Sequence, residues 1–379
     1  MDFELNEMQQ MLLDSAEKLM KPRTSVELWR NRHNVPAGLD TVTWAQFAEL
    51  GWLALPLPEK VGGLGGSMID VALLMTALGR GLAVEPYVST VVLCGHILSR
   101  ISDDGFAGEL EQIAQGSARL ALAHGETGSE YDLTANRDAT ARSNGDGYML
   151  NGVKSPVLDA PSATHLLVSA TLDGAEAALF LIPADAQGVT IEKYAVIDGS
   201  QAADVRLKDV AVSPEMLVAR GDTITTLIEE ASDRATIAHI AQAVGAMEAS
   251  LDLCSDFLKQ RKQFGQPIGK FQALQHMLVN MLVAANQSRS ALYAALAAID
   301  AEPSRRAHAV SAAKVVASDA MQLISRTGIQ LHGGFGVTDE YAISHYYRRL
   351  IVLEKLNGDI SYHLERMAGF SPPSAYQFY

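Results

Sequence analysis

This chain contains few cysteines and no long apolar run, and its net charge is negative. Its 379 residues include two cysteines, Cys94 and Cys254, which leave no CxxC pair, no zinc-type spacing and no disulfide framework. This cysteine usage fits a reducing compartment. No stretch reaches ~18 uninterrupted apolar residues, so we expect no transmembrane helix. The formal net charge of −14 argues against nucleic acid or an anionic membrane surface as the main partner.

A recognisable targeting signal is also missing from the N-terminus. Residues 1–5 are acidic and lack the basic start and apolar run of a signal peptide. We therefore expect a cytoplasmic location. Apolar residues make up 48% of the chain and charged residues 20%, an ordinary balance for a globular protein, and the length suggests two or three domains.

Apolar residues recur at helical spacing in the first and last thirds of the chain and as short strand-like runs between them. The helical patterns predict helices at 3–19 (closed by Pro22), 43–50, 69–83, 90–100, 228–259, 271–299, 305–328 and 360–367. Short apolar or β-branched runs lie at 120–123, 148–150, 164–170, 178–182, 189–194 and 204–207, separated by turns such as Asn151-Gly152 and Asp198-Gly199. This spacing is typical of antiparallel strands.

The order of these patterns predicts an α+β multidomain fold. We expect an N-terminal helical domain at residues 1–118, a middle antiparallel β domain at 119–222 and a C-terminal four-helix-bundle domain at 223–379. Segregated helices and strands argue against a parallel α/β sheet.

The first segment that points to a ligand is Arg261-Lys262-Gln263-Phe264-Gly265, followed by Phe271-Gln272. The guanidinium of Arg261 can fork toward phosphate oxygens, and Phe264 can stack against a flat ring. Gln272 offers an amide to a polar edge. Taken alone, the segment is equally compatible with a solvated Arg-Lys pair beside a core phenylalanine.

The second segment is Gln330-Leu331-His332-Gly333-Gly334-Phe335-Gly336. Its glycines allow a ligand to approach the backbone closely, and Gln330 supplies a neighbouring amide. Taken alone, it could be an ordinary turn at the end of a helix. The two segments occur in this order with a long helical hairpin between them, which makes the combination much more specific than either part.

Together the two segments resemble the FAD-binding signatures of the acyl-CoA dehydrogenase family, and the helical, β, helical order resembles the layout of that family over essentially the whole chain. The resemblance implies that Arg261, Phe264 and Gln272 reach the FAD of a neighbouring subunit. It implies that Gln330, Gly333 and Gly334 contact the adenosine and pyrophosphate end. The expected activity is oxidation of an acyl-CoA thioester to the 2-enoyl-CoA, in lipid metabolism, with electron-transfer flavoprotein as redox partner.

The catalytic base is where this chain departs from the family pattern. Many members carry a Glu-Gly pair after the glycine loop, and here the corresponding residues are Asn357-Gly358. An amide has no useful basicity, so Asn357 could only position substrate. Other members place the base on the first long C-terminal helix, directly before an arginine, and the nearest match is Asp233-Arg234.

Asp233 is therefore the candidate base and Arg234 a candidate substrate-binding residue, although the register is imperfect. Counting back from Arg261, the family position falls near Ala235. Glu230, about one turn earlier, is a second candidate. A purely structural Asp233–Arg234 pair is the alternative interpretation.

The β domain departs from the family pattern as well. The residue that usually carries a hydroxyl beside the flavin corresponds to Gly125, and the ring-pocket positions of the next strand hold Pro156 and Leu158. His124 is either a compensating polar group or an ordinary strand histidine.

Retained adenine-end residues beside altered base and ring-pocket positions predict a subunit of a heteromeric dehydrogenase. In this respect the chain is similar to family members that act as heterotetramers in steroid degradation and to the small subunits of pimeloyl-CoA dehydrogenases. Such a chain completes the FAD site of a homologous partner. The alternatives are a homo-oligomeric dehydrogenase that uses Asp233 as base, a non-catalytic structural partner, and an oxidase or monooxygenase on the same fold.

Overall fold

The computed structural model describes residues 5–21, 25–31, 38–101, 104–129, 131–133 and 138–370. Its α-helices are α1 (Glu7–Met20), α2 (Val26–Asn31), α3 (Thr41–Glu49), α4 (Met68–Arg80), α5 (Gly95–Ser99), α6 (Ala107–Ala114), α7 (Thr223–Gln260), α8 (Gln272–Leu296), α9 (Pro303–His332), α10 (Ala342–Lys355) and α11 (Ile360–Phe370). Its strands are β1 (Leu120–Ala123), β2 (Thr140–Asn144), β3 (Gly147–Leu158), β4 (His165–Leu172), β5 (Glu176–Pro183), β6 (Val189–Ala195), β7 (Gln201–Val212), β8 (Leu217–Arg220), β9 (Lys262–Gln263) and β10 (Gln266–Pro267).

The chain divides into two compact units that interleave along the sequence. The helical unit comprises Met1–Asn31, Met68–Ala83 and Thr236–Tyr379, and the β unit comprises Arg32–Ser67 and Val84–Ala235. The predicted order of helices, then strands, then helices is confirmed. The exact boundaries at 118/119 and 222/223 stay a prediction.

The β unit is built on an eight-stranded sheet with the order β6-β7-β3-β2-β4-β5-β8, in which β1 pairs with β4. Most pairings are antiparallel as expected, whereas β1 and β2 run parallel to β4. Strands β4 and β5 are buried along nearly their whole length, with Val168 opposite Phe180 in their register. A strand covered on both faces reads as a continuous apolar run, which is why these two were readily predicted. The polar β2 and the short β8 were not.

The helices of the first third begin and end for local reasons. Asn6 and Gln9 form a capping box at the start of α1, a few residues later than the apolar pattern suggested. Pro22, expected to close this helix, lies outside the described residues. The Asp40 carboxylate caps α3, and Trp44 and Phe47 share its buried face as predicted.

In the helical unit, α9 packs against α8, α10 and α11. Helices α4 and α7 approach each other through glycines: a Cβ added at Gly79 would lie 1.9 Å from the Gln242 carbonyl oxygen, and one at Gly245 would lie 1.9 Å from that of Thr76. Helix α10 was not predicted, since Tyr341 provides no side-chain cap to mark its start. Within the described ranges, no helix is long and apolar enough to cross a membrane.

Candidate functional site

The Arg261 segment forms a tight hairpin in the helical unit. Strands β9 and β10 pair Gln263 with Gln266, so two residues make the turn. Phe264 has φ +53° and Gly265 has φ +78°, the left-handed pair of a type I′ turn. A phenylalanine is disfavoured in this region of backbone space. The Phe264 side chain is nevertheless held there with 89% of its surface exposed, and its ring makes an edge contact to Phe271 at 6.0 Å between ring centroids.

The hairpin and the glycine loop lie side by side. The guanidinium carbon of Arg261 sits 5.4 Å from the centre of the Phe335 ring, within the range of a cation–π contact. Behind it, Phe257 stacks on His332 at 4.3 Å. The structure therefore brings together two segments that are far apart in sequence, which supports their interpretation as parts of one site.

The glycine loop has an open backbone. Helix α9 ends at His332, and Gly333 follows with φ +58°. A Cβ at Gly333 or Gly334 would meet no atom within 4 Å, whereas one at Gly336 would lie 2.7 Å from the Ile329 carbonyl oxygen. The first two glycines thus leave room for a ligand, and the third serves packing. The predicted amides, Gln330 in the last turn of α9 and Gln272 at the start of α8, are both exposed.

Asn357 lies in a turn after α10 that is fixed by hydrogen bonds. Its backbone is left-handed, with φ +58°. The Oδ1 atom lies 2.8 Å from Nδ1 of His239, and the carbonyl oxygen lies 3.0 Å from Nε2 of His363. The Lys314 ammonium donates to the carbonyl oxygens of Leu353 (2.7 Å) and Leu356 (2.9 Å).

The titratable groups around this turn are buried, and burial shifts their protonation. Burial lowers the pKa of His239 to about 3, and the charges of Arg349 and Lys314 act in the same direction. Burial and Lys314 also lower the pKa of His363 to about 3. Burial lowers the pKa of Lys314 to about 7, opposed by Glu354 and Asp359. Both imidazoles are therefore neutral at physiological pH.

Asp233 and Arg234 lie in the third turn of α7, which begins five residues before the predicted helix at 228–259, and they belong to the β unit. The Asp233 side chain is fully buried. Arg234 Nη2 lies 3.5 Å from Oε1 of Glu230, whose carboxylate also contacts His96 at 3.0 Å and Arg100 at 3.8 Å.

These contacts argue against Glu230 as a second candidate base, a role that stays a prediction. Its hydrogen bond with His96, together with the charges of Arg100 and Arg234, outweighs burial and holds its pKa at about 2. A carboxylate that is this acidic and this fully engaged cannot take up a substrate proton near neutral pH.

His124 belongs to a buried polar network of the β unit. Its Nδ1 atom lies 2.8 Å from Oγ of Ser169, and Lys154 Nζ contacts Ser169 at 3.3 Å and Glu126 at 2.6 Å. Burial alone would raise the pKa of Glu126, but Lys154 and two backbone N–H groups lower it below its usual value. This network supports the interpretation of His124 as an ordinary strand histidine.

His239, His363 and Lys314 are the site residues that sequence reasoning missed. His239 lies 118 residues from its partner Asn357, and His363 lies 6 residues from the same residue. Lys314 lies 39 and 42 residues from its two partners, so no local motif joins the three residues. One signal was present: His239 interrupts the apolar stretch Ile237-Ala238-His239-Ile240-Ala241. A polar side chain in a buried helix needs a partner.

Comparison with known proteins defines the family. Models of the acyl-CoA dehydrogenase N-terminal, middle and C-terminal domains match residues 6–116, 121–210 and 225–370. The probable acyl-CoA dehydrogenase YngJ of Bacillus subtilis is 30% identical over 370 residues, covering 93% of this chain and 95% of that protein.

Two solved structures are similar along nearly the whole chain. The ChsE4-ChsE5 complex from Mycobacterium tuberculosis matches with a TM-score of 0.87 and 26% identity, covering 97% of this chain and 98% of that chain. A variant of the Tcur3481-Tcur3483 steroid ACAD matches with a TM-score of 0.85 and 28% identity, covering 96% and 97%.

The fold, the two adjoining segments and these matches define a flavoprotein oxidoreductase. The chain belongs to the acyl-CoA dehydrogenase family, whose members are FAD-dependent.

Proposed function

We propose that this chain takes part in the FAD-dependent oxidation of an acyl-CoA thioester to its 2-enoyl-CoA as one subunit of a heteromeric complex. The observation that carries this proposal is the Asn357 turn. At the position where many family members have their base, a neutral amide is hydrogen-bonded to a neutral, buried histidine. Neither this amide nor this histidine is a proton acceptor of suitable strength for the reaction.

The segments for the adenine end of FAD are kept in spite of this change. Arg261 is exposed and suited to phosphate oxygens, and Gly333 and Gly334 leave their backbone open to a ligand. Gln330 and Gln272 add exposed amide donors. Bound FAD would supply the acceptor for the hydride that leaves the β-carbon.

Phe264 supports a contact with a second subunit. Its ring is exposed at the tip of a rigid two-residue turn, and the left-handed backbone of Phe264 is strained. The turn therefore holds an apolar ring ready for a contact, at a cost in strain and in exposed apolar surface. Both costs are offset once another surface covers the ring. The two solved structures described above are each named for two chains, which supports a partner subunit, and the second is named a steroid ACAD, which supports a steroid acyl-CoA as substrate. Electron-transfer flavoprotein is the proposed redox partner.

The second candidate function is a homo-oligomeric dehydrogenase with Asp233 as base and Arg234 as its neighbour in substrate binding. The observation in its favour is that Asp233 is a fully buried carboxylate on α7, shielded from water as a base for an unactivated carbon must be. A chain without any catalytic role, serving only to build the complex, is the third.

Flavin bleaching under anaerobic conditions separates these functions. We expect that the chain alone, loaded with FAD, is not bleached by acyl-CoA thioesters, while its complex with a homologous partner is. Asp233→Asn in this chain should leave bleaching of the complex within about twofold of wild type. Bleaching of the isolated chain that Asp233→Asn abolishes would instead establish the homo-oligomeric enzyme. Unchanged FAD content and bleaching after omission of this chain would leave only the structural role.

A further inference from the structure

The turn between α10 and α11 is held by more buried titratable groups than a connection of four residues needs. His239 comes from α7, Lys314 from α9 and His363 from α11, and all three hydrogen-bond to the segment Leu353–Asn357. The described contacts fix two carbonyl oxygens before Asn357, its own carbonyl oxygen and its side chain. Such redundancy is typical of a residue that must be aimed accurately.

The hydrogen-bond partners determine both imidazole tautomers. An amide or carbonyl oxygen only accepts, so Nδ1 of His239 donates to Oδ1 of Asn357, and Nε2 of His363 donates to the carbonyl oxygen of Asn357. The other nitrogen of His363, Nδ1, can then accept the hydroxyl proton of Ser311 at 3.1 Å. Neutral rings satisfy every one of these contacts.

This arrangement also determines which way the Asn357 amide faces. Its oxygen is turned toward His239, so its NH2 group is turned away from that histidine. Nδ2 makes no hydrogen bond to any residue that the structure describes, and the side chain is partly exposed. An amide with an anchored oxygen and an uncommitted NH2 group is a preorganised donor.

We propose that Asn357 donates this N–H to an acceptor oxygen of the bound acyl-CoA, and that His239 is a positioning residue that aims it. This inference rests on the proposed function, because it requires that acyl-CoA binds here. An ionised carboxylate at this position would repel an electron-rich oxygen, whereas the N–H of the Asn357 amide attracts it. The oxygen is either the thioester carbonyl, common to all acyl-CoA substrates, or an oxygen further along the acyl group.

Binding of two probes to the FAD-loaded complex tests the donor. Within its acyl group, octanoyl-CoA offers only the thioester oxygen, and pimeloyl-CoA adds a terminal carboxylate. We expect Asn357→Gly, which keeps the left-handed backbone, to weaken binding about three- to tenfold by calorimetry. A loss with both probes identifies the thioester oxygen, and a loss with pimeloyl-CoA alone identifies the distal oxygen. The matched control is Asn144→Gly, an exposed asparagine of the β unit, which should bind both probes like wild type.

A double-mutant cycle tests the positioning role. His239→Leu should weaken binding in the wild-type background and have no further effect in the Asn357→Gly background, because the residue acts only through the amide. His239→Asn retains a donor near the Nδ1 position and should restore at least half of the lost affinity. A merely structural histidine would lower the melting temperature equally in both backgrounds and leave affinity unchanged.

The outcomes separate this inference from the proposed function. If wild type binds a probe and Asn357→Gly binds it equally well, the donor role is wrong and the proposed function stands. If Asn144→Gly loses as much affinity as Asn357→Gly, the effect is not specific and the inference is overturned. If the wild-type complex binds neither probe, the inference is overturned, and the flavin-bleaching experiment above decides the proposed function separately.

Discussion

At the scale of single residues, the most informative feature of the Asn357 turn is that its two buried histidines are neutral. His239 and His363 are buried, and Nδ1 of His239 and both nitrogens of His363 have hydrogen-bond partners that neutral rings satisfy. Glu230 is the opposite case, since His96 and two arginines hold it ionised. The sequence resemblance implies a carboxylate at this position in many family members, and here the side chain is an amide whose oxygen faces a neutral histidine.

Acid should therefore destabilise the helical unit through these histidines. Burial lowers the folded-state pKa of His239 and His363 from 6.5 to about 3, so the unfolded chain binds more protons than the folded chain between these values. Stability is fully present above about pH 6.5 and is lost as the pH falls toward 3.

Thermal unfolding at pH 7.5 and pH 5 checks this prediction. The melting temperature of wild type should fall by several degrees between the two values. His363→Gln, which keeps a donor for the Asn357 carbonyl oxygen but cannot be protonated, should show a smaller fall. A fall of equal size in this variant would mean that His363 does not contribute to the acid sensitivity.

At the scale of elements, helix contacts in the helical unit depend on backbone proximity. Gly79 and Gly245 allow α4 and α7 to touch without intervening side chains. The obstacle to a larger residue is a carbonyl oxygen of the neighbouring helix, which cannot rotate away as a side chain can.

Gly79→Ala should consequently destabilise the protein although alanine is the better helix former. The added Cβ would lie 1.9 Å from the Gln242 carbonyl oxygen, and moving two helices apart costs about 1–3 kcal/mol or more, against about 1 kcal/mol gained in helix propensity.

Gly108→Ala in α6 is the matched control, because a Cβ there meets no atom within 4 Å. It should be neutral or stabilising by up to about 1 kcal/mol in denaturant unfolding. A Gly79→Ala variant as stable as wild type, or more stable, would show that α4 and α7 do not approach this closely.

The elements predicted from the sequence carry a local sequence pattern, whereas the elements that were missed do not. Strands β4 and β5 carry their own apolar runs and were predicted, whereas the Arg261 segment and the glycine loop were singled out as ligand-binding motifs without a prediction of the β9–β10 hairpin. Helix α10 has no side-chain cap, and the Asn357 network joins residues up to 118 positions apart. Local patterns report on local constraints, whereas hydrogen bonds between distant elements appear only once the chain is folded. The catalytic role of Asp233 stays a prediction.

At the scale of the whole molecule, we propose that the chain combines an adenine-end site at Arg261 and the glycine loop with an amide, Asn357, at the usual base position. Within the described residues of the helical unit, the most exposed large apolar side chain next to that site is Phe264, which points to a second subunit. The central claim is accordingly that this chain works with a homologous partner.

Native mass spectrometry, applied to the FAD-loaded chain alone and after coexpression with a homologous chain encoded beside it, tests that claim most directly. The account predicts a heterotetramer that contains both chains and retains FAD, and substoichiometric FAD on this chain by itself. A homo-oligomer with one FAD per chain that does not take up the partner would contradict it.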